Sequence, residues 1–145
     1  MEFQNTVHFQ ITDKIEEQDR AEIYAGLLEY NLEKLEDKNP RELGIFLEDA
    51  QGKKAAGLIG ETHGNWLMIK FLWVGKLLRG QNIGSRLLNQ AEDTARERGC
   101  KFVFLDTFSF QAPDFYKKHG YEEVFHLENY PLTGKRHYFT KNLFS

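Results

Sequence analysis

Apolar residues recur along the chain at two periods, and their alternation lays out an order of elements. Val7, Phe9 and Ile11 alternate with Thr6, His8 and Gln10, the period of a strand from Thr6 to Ile11 with one buried face. Ala21, Tyr24, Leu28 and Leu35 then recur at helical spacing, with Leu27 widening the stripe, and Asp13 followed by Glu16 resembles a capping pair. A helix over about 13–35 is predicted. Asp37-Lys-Asn-Pro40 stops it, because proline disfavours helix in the residue before it. Three strands follow, Glu42 to Glu48, Lys54 to Thr62 and Asn65 to Val74, joined by turns at Asp49–Gly52 and His63–Asn65 that suit antiparallel hairpins. The last is apolar on both faces except at Lys70, which predicts a central position. Ile83, Leu87, Leu88, Ala91 and Ala95 make one face of a helix that starts near Ser85 and ends at Gly99. Phe102 to Leu105, within Lys101 to Asp106, reads as a buried strand parallel to its predecessor. Pro113 opens a short helix over Ala112 to His119, and strands over about 121–128 and 135–142 complete the chain. This order makes a single α/β (α+β) domain over 1–145, a mixed sheet with helices against it.

Composition narrows the classes. The 145 residues are 41% hydrophobic and 28% charged, enough for one real core. A net charge of −3 with both signs interspersed gives no broad basic face, so no nucleic-acid partner is expected. No apolar run approaches a membrane span and the N-terminus lacks a signal pattern, so a cytoplasmic protein without a membrane partner is expected. The lone Cys100, after Gly99 at a helix end, reads as a buried small hydrophobe rather than a nucleophile. No metal-ligand pattern is present.

Candidate chemistry concentrates in Phe71 to Gln90. Strand Phe71-Leu-Trp-Val74 runs through Gly75-Lys-Leu-Leu78 into Arg79-Gly80-Gln81-Asn82-Ile83-Gly84 and then a helix. Such a junction gathers unpaired N–H groups and the positive end of a helix dipole, which suits an anion, although an ordinary strand-to-helix turn looks the same. A nucleotide P-loop and a dinucleotide fingerprint are both absent, even with Asp106 about twenty residues downstream. Asn31 falls inside the first helix's apolar stripe and must bond either a neighbouring backbone group or something in a cleft.

Two segments together carry a family resemblance. Arg79-x-x-Asn82-x-Gly84 resembles the Arg/Gln-x-x-Gly-x-Gly/Ala pyrophosphate loop of the GNAT N-acetyltransferases. The run from Asp106 through Phe115-Tyr116-Lys-Lys-His-Gly-Tyr121 is similar to that family's later signature, in the right order and spacing. The resemblance covers nearly the whole chain. It implies a mixed, mostly antiparallel seven-stranded sheet with a splayed parallel pair and flanking helices.

The resemblance also implies roles. Acetyl-CoA would be the co-substrate, with its pyrophosphate on backbone N–H groups of Gly80, Gln81, Asn82, Ile83, Gly84 and Ser85 and added charge from Arg79. Leu72, Trp73 and Val74 would pair with pantetheine. Gln111 and Phe115 would pack its other side, and Lys118 or Lys117 would meet the 3′-phosphate. Tyr116 would be the acid for the departing sulfur and Glu61 a candidate base. Tyr30, Asn31 and Lys70 would border a small-molecule or peptide amine, and a homodimer is left open. Two residues depart from the pattern. Asn82 replaces a glycine, and Lys70 stands where many similar proteins carry an acid. The alternative is a non-catalytic acyl-CoA-binding sensor or interaction module with the same fold.

Overall fold

The computed structural model describes residues 7–37 and 39–144. The chain divides into two compact units, Met1–Lys38 and Asn39–Ser145.

In the first unit, helix α1 spans Glu17–Leu32. Its N-cap, Glu16, makes no side-chain cap bond, so the Asp13–Glu16 capping pair does not form. Thr12 Oγ1 instead accepts the Lys14 N–H at 3.0 Å, a local turn that delays the helix beyond its predicted start. At the other end the N–H groups of Lys34 and Leu35 both donate to the Asn31 carbonyl. Residues 7–12 are not a strand, which corrects the predicted first strand; Thr6 lies outside the described residues. Alternation supplies a face, but a strand also requires a neighbouring ladder.

The second unit holds a six-stranded sheet among the described residues, rather than the expected seven. Its strands are β1 (Arg41–Glu48), β2 (Lys54–His63), β3 (Trp66–Val74), β4 (Phe102–Phe108), β5 (Glu122–Glu128) and β6 (Lys135–Asn142), in the spatial order β1-β2-β3-β4-β6-β5. Every pair is antiparallel except β3–β4, as expected for strands joined by a crossover helix. That helix, α2 (Ile83–Glu97), turns Leu87, Leu88, Ala91 and Ala95 onto Leu58, Leu67, Val103 and Leu105, all essentially inaccessible. Each buried leucine of this kind contributes roughly 1.5–3 kcal/mol. Cys100 is buried, as expected of a small hydrophobe. A short α3 (Pro113–Lys118) precedes β5.

Two irregularities shape the centre of the sheet. Ile59 pairs with Phe71 and Gly60 with Ile69, so Lys70 is an extra residue on β3. Gly60 has no room for a side chain there, since a Cβ would lie 2.6 Å from the Met68 carbonyl oxygen. A bulge bends its strand and increases the local twist. The parallel pairing of β3 with β4 ends at Met68–Phe104, just before it, and the two strands separate beyond.

One charge lies under α2. Glu92 is 3% exposed, accepting the Tyr121 hydroxyl at 2.8 Å and the Lys141 ammonium at 2.9 Å. Burial, and then the charge of Glu92, push the Tyr121 phenol far above its ordinary pKa, so it remains a donor. Breaking one member of a buried pair strands the other charge. Lys141→Met should therefore lower unfolding free energy in urea by on the order of 3 kcal/mol, whereas adding Glu92→Leu and Tyr121→Phe should restore most of it. A single variant as stable as wild type would show that Glu92 does not depend on Lys141.

Candidate active site

The separation of β3 from β4 opens a cleft of about 310 Å³ lined by Lys70, Leu72, Trp73, Asp106, Gln111 and Tyr116, among others. Backbone groups of β3 beyond Met68 that would bond β4 in a continuous ladder face this gap instead. Leu105 and Thr107 are buried on the helix side of β4, while Phe104, Asp106 and Phe108 alternate onto the opposite side. The cleft therefore has residues from both faces of the sheet in its walls.

A second hollow of about 370 Å³ lies beside the first, lined by Val74, Arg79, Gly80, Asn82, Gly84, Ser85, Phe115, Lys118 and His119, with Leu78 and Ile83. Its floor is the start of α2, which begins at Ile83 rather than near Ser85. Asn82, the N-cap, has φ 60° and ψ 21° and makes no side-chain cap bond. Asparagine adopts this left-handed conformation more readily than other non-glycine residues, so the loop keeps its turn without the usual glycine. The N–H groups of Ile83, Gly84 and Ser85 have no carbonyl within α2 to bond and stand at the positive end of its dipole. Arg79 donates through Nε to the Val74 carbonyl at 3.3 Å, which holds its guanidinium over the junction of β3 and the loop. Such a hollow fits a diphosphate, and the open edge of β3 fits an extended polar chain running from it.

Tyr116 lines the cleft, while its neighbour Phe115 lines the second hollow and meets it edge-on at 5.1 Å between centroids. Burial, and then the nearby Asp106 charge, push the Tyr116 phenol up to about 12. Its hydroxyl thus stays protonated at ordinary pH.

Most of the predicted site residues assemble around these hollows. Gln111 lines the cleft, but its Oε1 accepts both the Phe108 N–H at 2.7 Å and the Thr107 hydroxyl at 3.1 Å, so it also closes the turn after β4. Gln81 does not line the second hollow; its side chain donates to the Leu77 carbonyl. Glu61 is not among the cleft residues either, and faces Lys70 at 3.8 Å. Tyr30 and Asn31 belong to α1 in the other unit, with Tyr30 exposed and Asn31 half-buried.

Two participants escape the sequence reading. Asp106 is the carboxylate in the cleft wall, bound to Arg136 Nε at 2.6 Å. Its position at a strand end was legible; its partner, thirty residues away, was not. His119 Nε2 shares a hydrogen bond of 2.9 Å with Ser85 Oγ, tying the end of α3 to the first turn of α2.

A family model for the acetyltransferase (GNAT) family matches residues 8–121. The chain belongs to the GNAT family. Among curated proteins, this acetyltransferase is 30% identical to acetyltransferase Atu2258 of Agrobacterium fabrum over 118 residues, 81% of this chain and 86% of the relative. It is 39% identical to blasticidin-S acetyltransferase of Streptomyces morookaense over 94 residues, 64% and 69% of the two chains. An acetyltransferase from Bacillus cereus has a similar crystal structure, with a TM-score of 0.77, 34% identity, and coverage of 92% of this chain and 97% of that one. No helix among the described residues is long and apolar enough to cross a membrane.

The turn that follows β4 in this acetyltransferase is clamped from the far strands. Ser109 Oγ bonds His137 Nε2 at 2.8 Å, and His137 Nδ1 bonds Glu123, which also faces His126 Nδ1 at 3.5 Å. The bond to His137 is the largest cause holding the Glu123 carboxyl below its ordinary 4.5. A depressed carboxylate stabilises the fold above its unfolded pKa, and that contribution disappears as pH falls through the folded value. Thermal melting from about pH 6 to about pH 3 should therefore show a steeper loss below 4.5 for wild type than for Glu123→Gln. Parallel curves would remove Glu123 from the acid response. At the loop, Asn82→Gly should leave urea stability unchanged or slightly raised, and Asn82→Ala should lower it by about 1 kcal/mol. Equal stability of the glycine and alanine variants would show that the left-handed turn is not held in solution.

Proposed function

We propose that this protein transfers the acetyl group of acetyl-CoA to a primary amine by direct attack while both are bound. The observation that carries the reading is the pair of neighbouring hollows, one at an uncapped helix start and one in a split sheet, with Tyr116 in the wall of the second. Family membership supports the donor. In this reading the N–H groups at the start of α2 and Arg79 hold the pyrophosphate, and the free edge of β3 at Leu72, Trp73 and Val74 bonds the pantetheine arm. Phe115 packs against the arm, and Lys118 meets the 3′-phosphate.

The chemistry follows from proton affinities. An alkylamine has a pKa of roughly 10.4 in water, so it must lose a proton before attacking the thioester carbonyl. Glu61, solvent-connected beside Lys70, receives that proton through water. Carbon–nitrogen bond formation and carbon–sulfur cleavage give an amide and a thiol. The sulfur leaves beside Tyr116. Transfer of the phenolic proton outright to a thiolate, whose acid has a pKa of roughly 8.5, is uphill for a phenol at about 12. Tyr116 therefore acts as a hydrogen-bond donor that stabilises charge developing on sulfur, and the proton the thiol keeps comes from the nitrogen as it becomes an amide.

Calorimetry with acetyl-CoA, CoA and NADH should show heat for the two CoA species only. Thiol release across a panel of amines should then show turnover, with Tyr116→Phe lowering kcat about tenfold or more and leaving acetyl-CoA affinity within about twofold. Absence of CoA binding would remove the reading altogether. Binding without turnover on every acceptor would favour an acyl-CoA sensor, and unchanged kcat in the variant would exclude Tyr116 from sulfur departure.

A further inference from the structure

Beyond Asp106 along β4, on the same side of the strand, a set of aromatic rings surrounds one guanidinium. Arg136 Nε donates to Asp106 Oδ2 at 2.6 Å, and its Nη1 donates to the Tyr130 hydroxyl at 2.9 Å. The guanidinium lies 5.7 Å from the Phe108 centroid, 5.3 Å from Tyr130 and 5.6 Å from Tyr138. Phe110 stacks on Phe108 at 5.3 Å with planes only 9° apart, and remains 82% exposed. Phe108 follows Asp106 on the same side of β4, so the stacked pair with its open ring stands next along the strand from the carboxylate of the cleft wall. A phenylalanine this exposed contributes little to the fold, since burial is the source of its stabilising effect.

The charges around this wall select among amines. Asp106 is the carboxylate in the cleft wall, and Arg136 compensates its charge at close range. An uncompensated carboxylate would hold an amine as ammonium, the unreactive form, by favouring its charge. A compensated one still accepts an N–H hydrogen bond without that penalty. Lys70 adds a second cation to the cleft, paired only loosely with Glu61 at 3.8 Å. A polyamine or amino sugar would bring several positive charges to a wall whose carboxylate is already neutralised by Arg136 and where Lys70 stands.

We propose that the acceptor is a monoamine on a flat aromatic or heteroaromatic body, its nitrogen bonded to Asp106 and its ring stacked on the Phe110–Phe108 pair. This deepens the acetyltransferase reading and rests on it. Stacking distinguishes aromatic from merely apolar bodies, because ring pairs gain an interaction beyond area burial. Phe110 is thus a specificity-determining residue, and Arg136 positions Asp106 while keeping it from stabilising the ammonium form.

The matched probes are 2-phenylethylamine and 2-cyclohexylethylamine, equal in charge and nearly equal in size, with spermidine as the polycation. Thiol release with saturating acetyl-CoA should give kcat/KM at least fivefold higher for the phenyl compound than for the cyclohexyl one, and lowest for spermidine. Phe110→Leu should abolish the phenyl preference, Phe110→Trp should retain it, and neither should change acetyl-CoA affinity by calorimetry. Equal rates for the two matched amines, preference for spermidine, or a preference that survives Phe110→Leu would overturn the proposal while leaving acetyl transfer intact. Should no amine turn over, calorimetry of the two matched amines with the CoA-saturated protein reads the same ring preference as binding. Equal binding there would overturn the proposal, and failure of acetyl-CoA itself to bind would overturn the acetyltransferase reading with it.

Discussion

The parting of β3 from β4 is the constraint on which the rest of the second unit depends. Paired strands would satisfy their own backbone groups and leave no gap. The extra residue at Lys70, opposite a glycine that admits no side chain, bends β3 after its pairing with β4 has ended at Met68–Phe104. Everything assigned to the cleft follows from that bend. The open edge of β3, the exposure of Asp106 to the gap and the access of Tyr116 to it would all be lost in a continuous sheet. Lys70, an oddity among apolar neighbours in the sequence, is the bulged residue itself.

Local patterns were legible where local physics decides the structure. All five apolar residues of the predicted α2 stripe are buried, with Glu92 added beside them, because helical periodicity and burial are the same fact read twice. The strands of the meander and the parallel β3–β4 pair also follow from hydrophobic pattern and connection length. Asn82 keeps the loop open for the reason residue type suggests, its tolerance of a left-handed backbone.

What escaped the sequence was set by long-range partners. The alternation of Val7, Phe9 and Ile11 is that of a strand, yet these residues lie outside the sheet, since pairing is a property of two segments and pattern a property of one. The Asp13–Glu16 cap was displaced by the turn at Thr12, which competes for the same backbone region. Asp106 was visible as a strand-end acid, but its compensation by Arg136 is created only when β6 inserts between β4 and β5. Glu92 drew no expectation from the sequence, since nothing local shows that Tyr121 and Lys141 enclose it.

That enclosed carboxylate has a mechanical meaning. Glu92 sits on the helix whose first turn floors one hollow, Tyr121 follows directly on the short helix that carries Phe115 and Tyr116, and Lys141 belongs to the strand beside β4. Ser85 and His119 join the same two helices a few turns away. Both fastenings tie α2 to the segment that ends α3, so the two helices form one jaw of the cleft. The spacing between the two hollows is then fixed by the frame, and adjustment to a guest of different length is left to the other jaw, the unpaired end of β3.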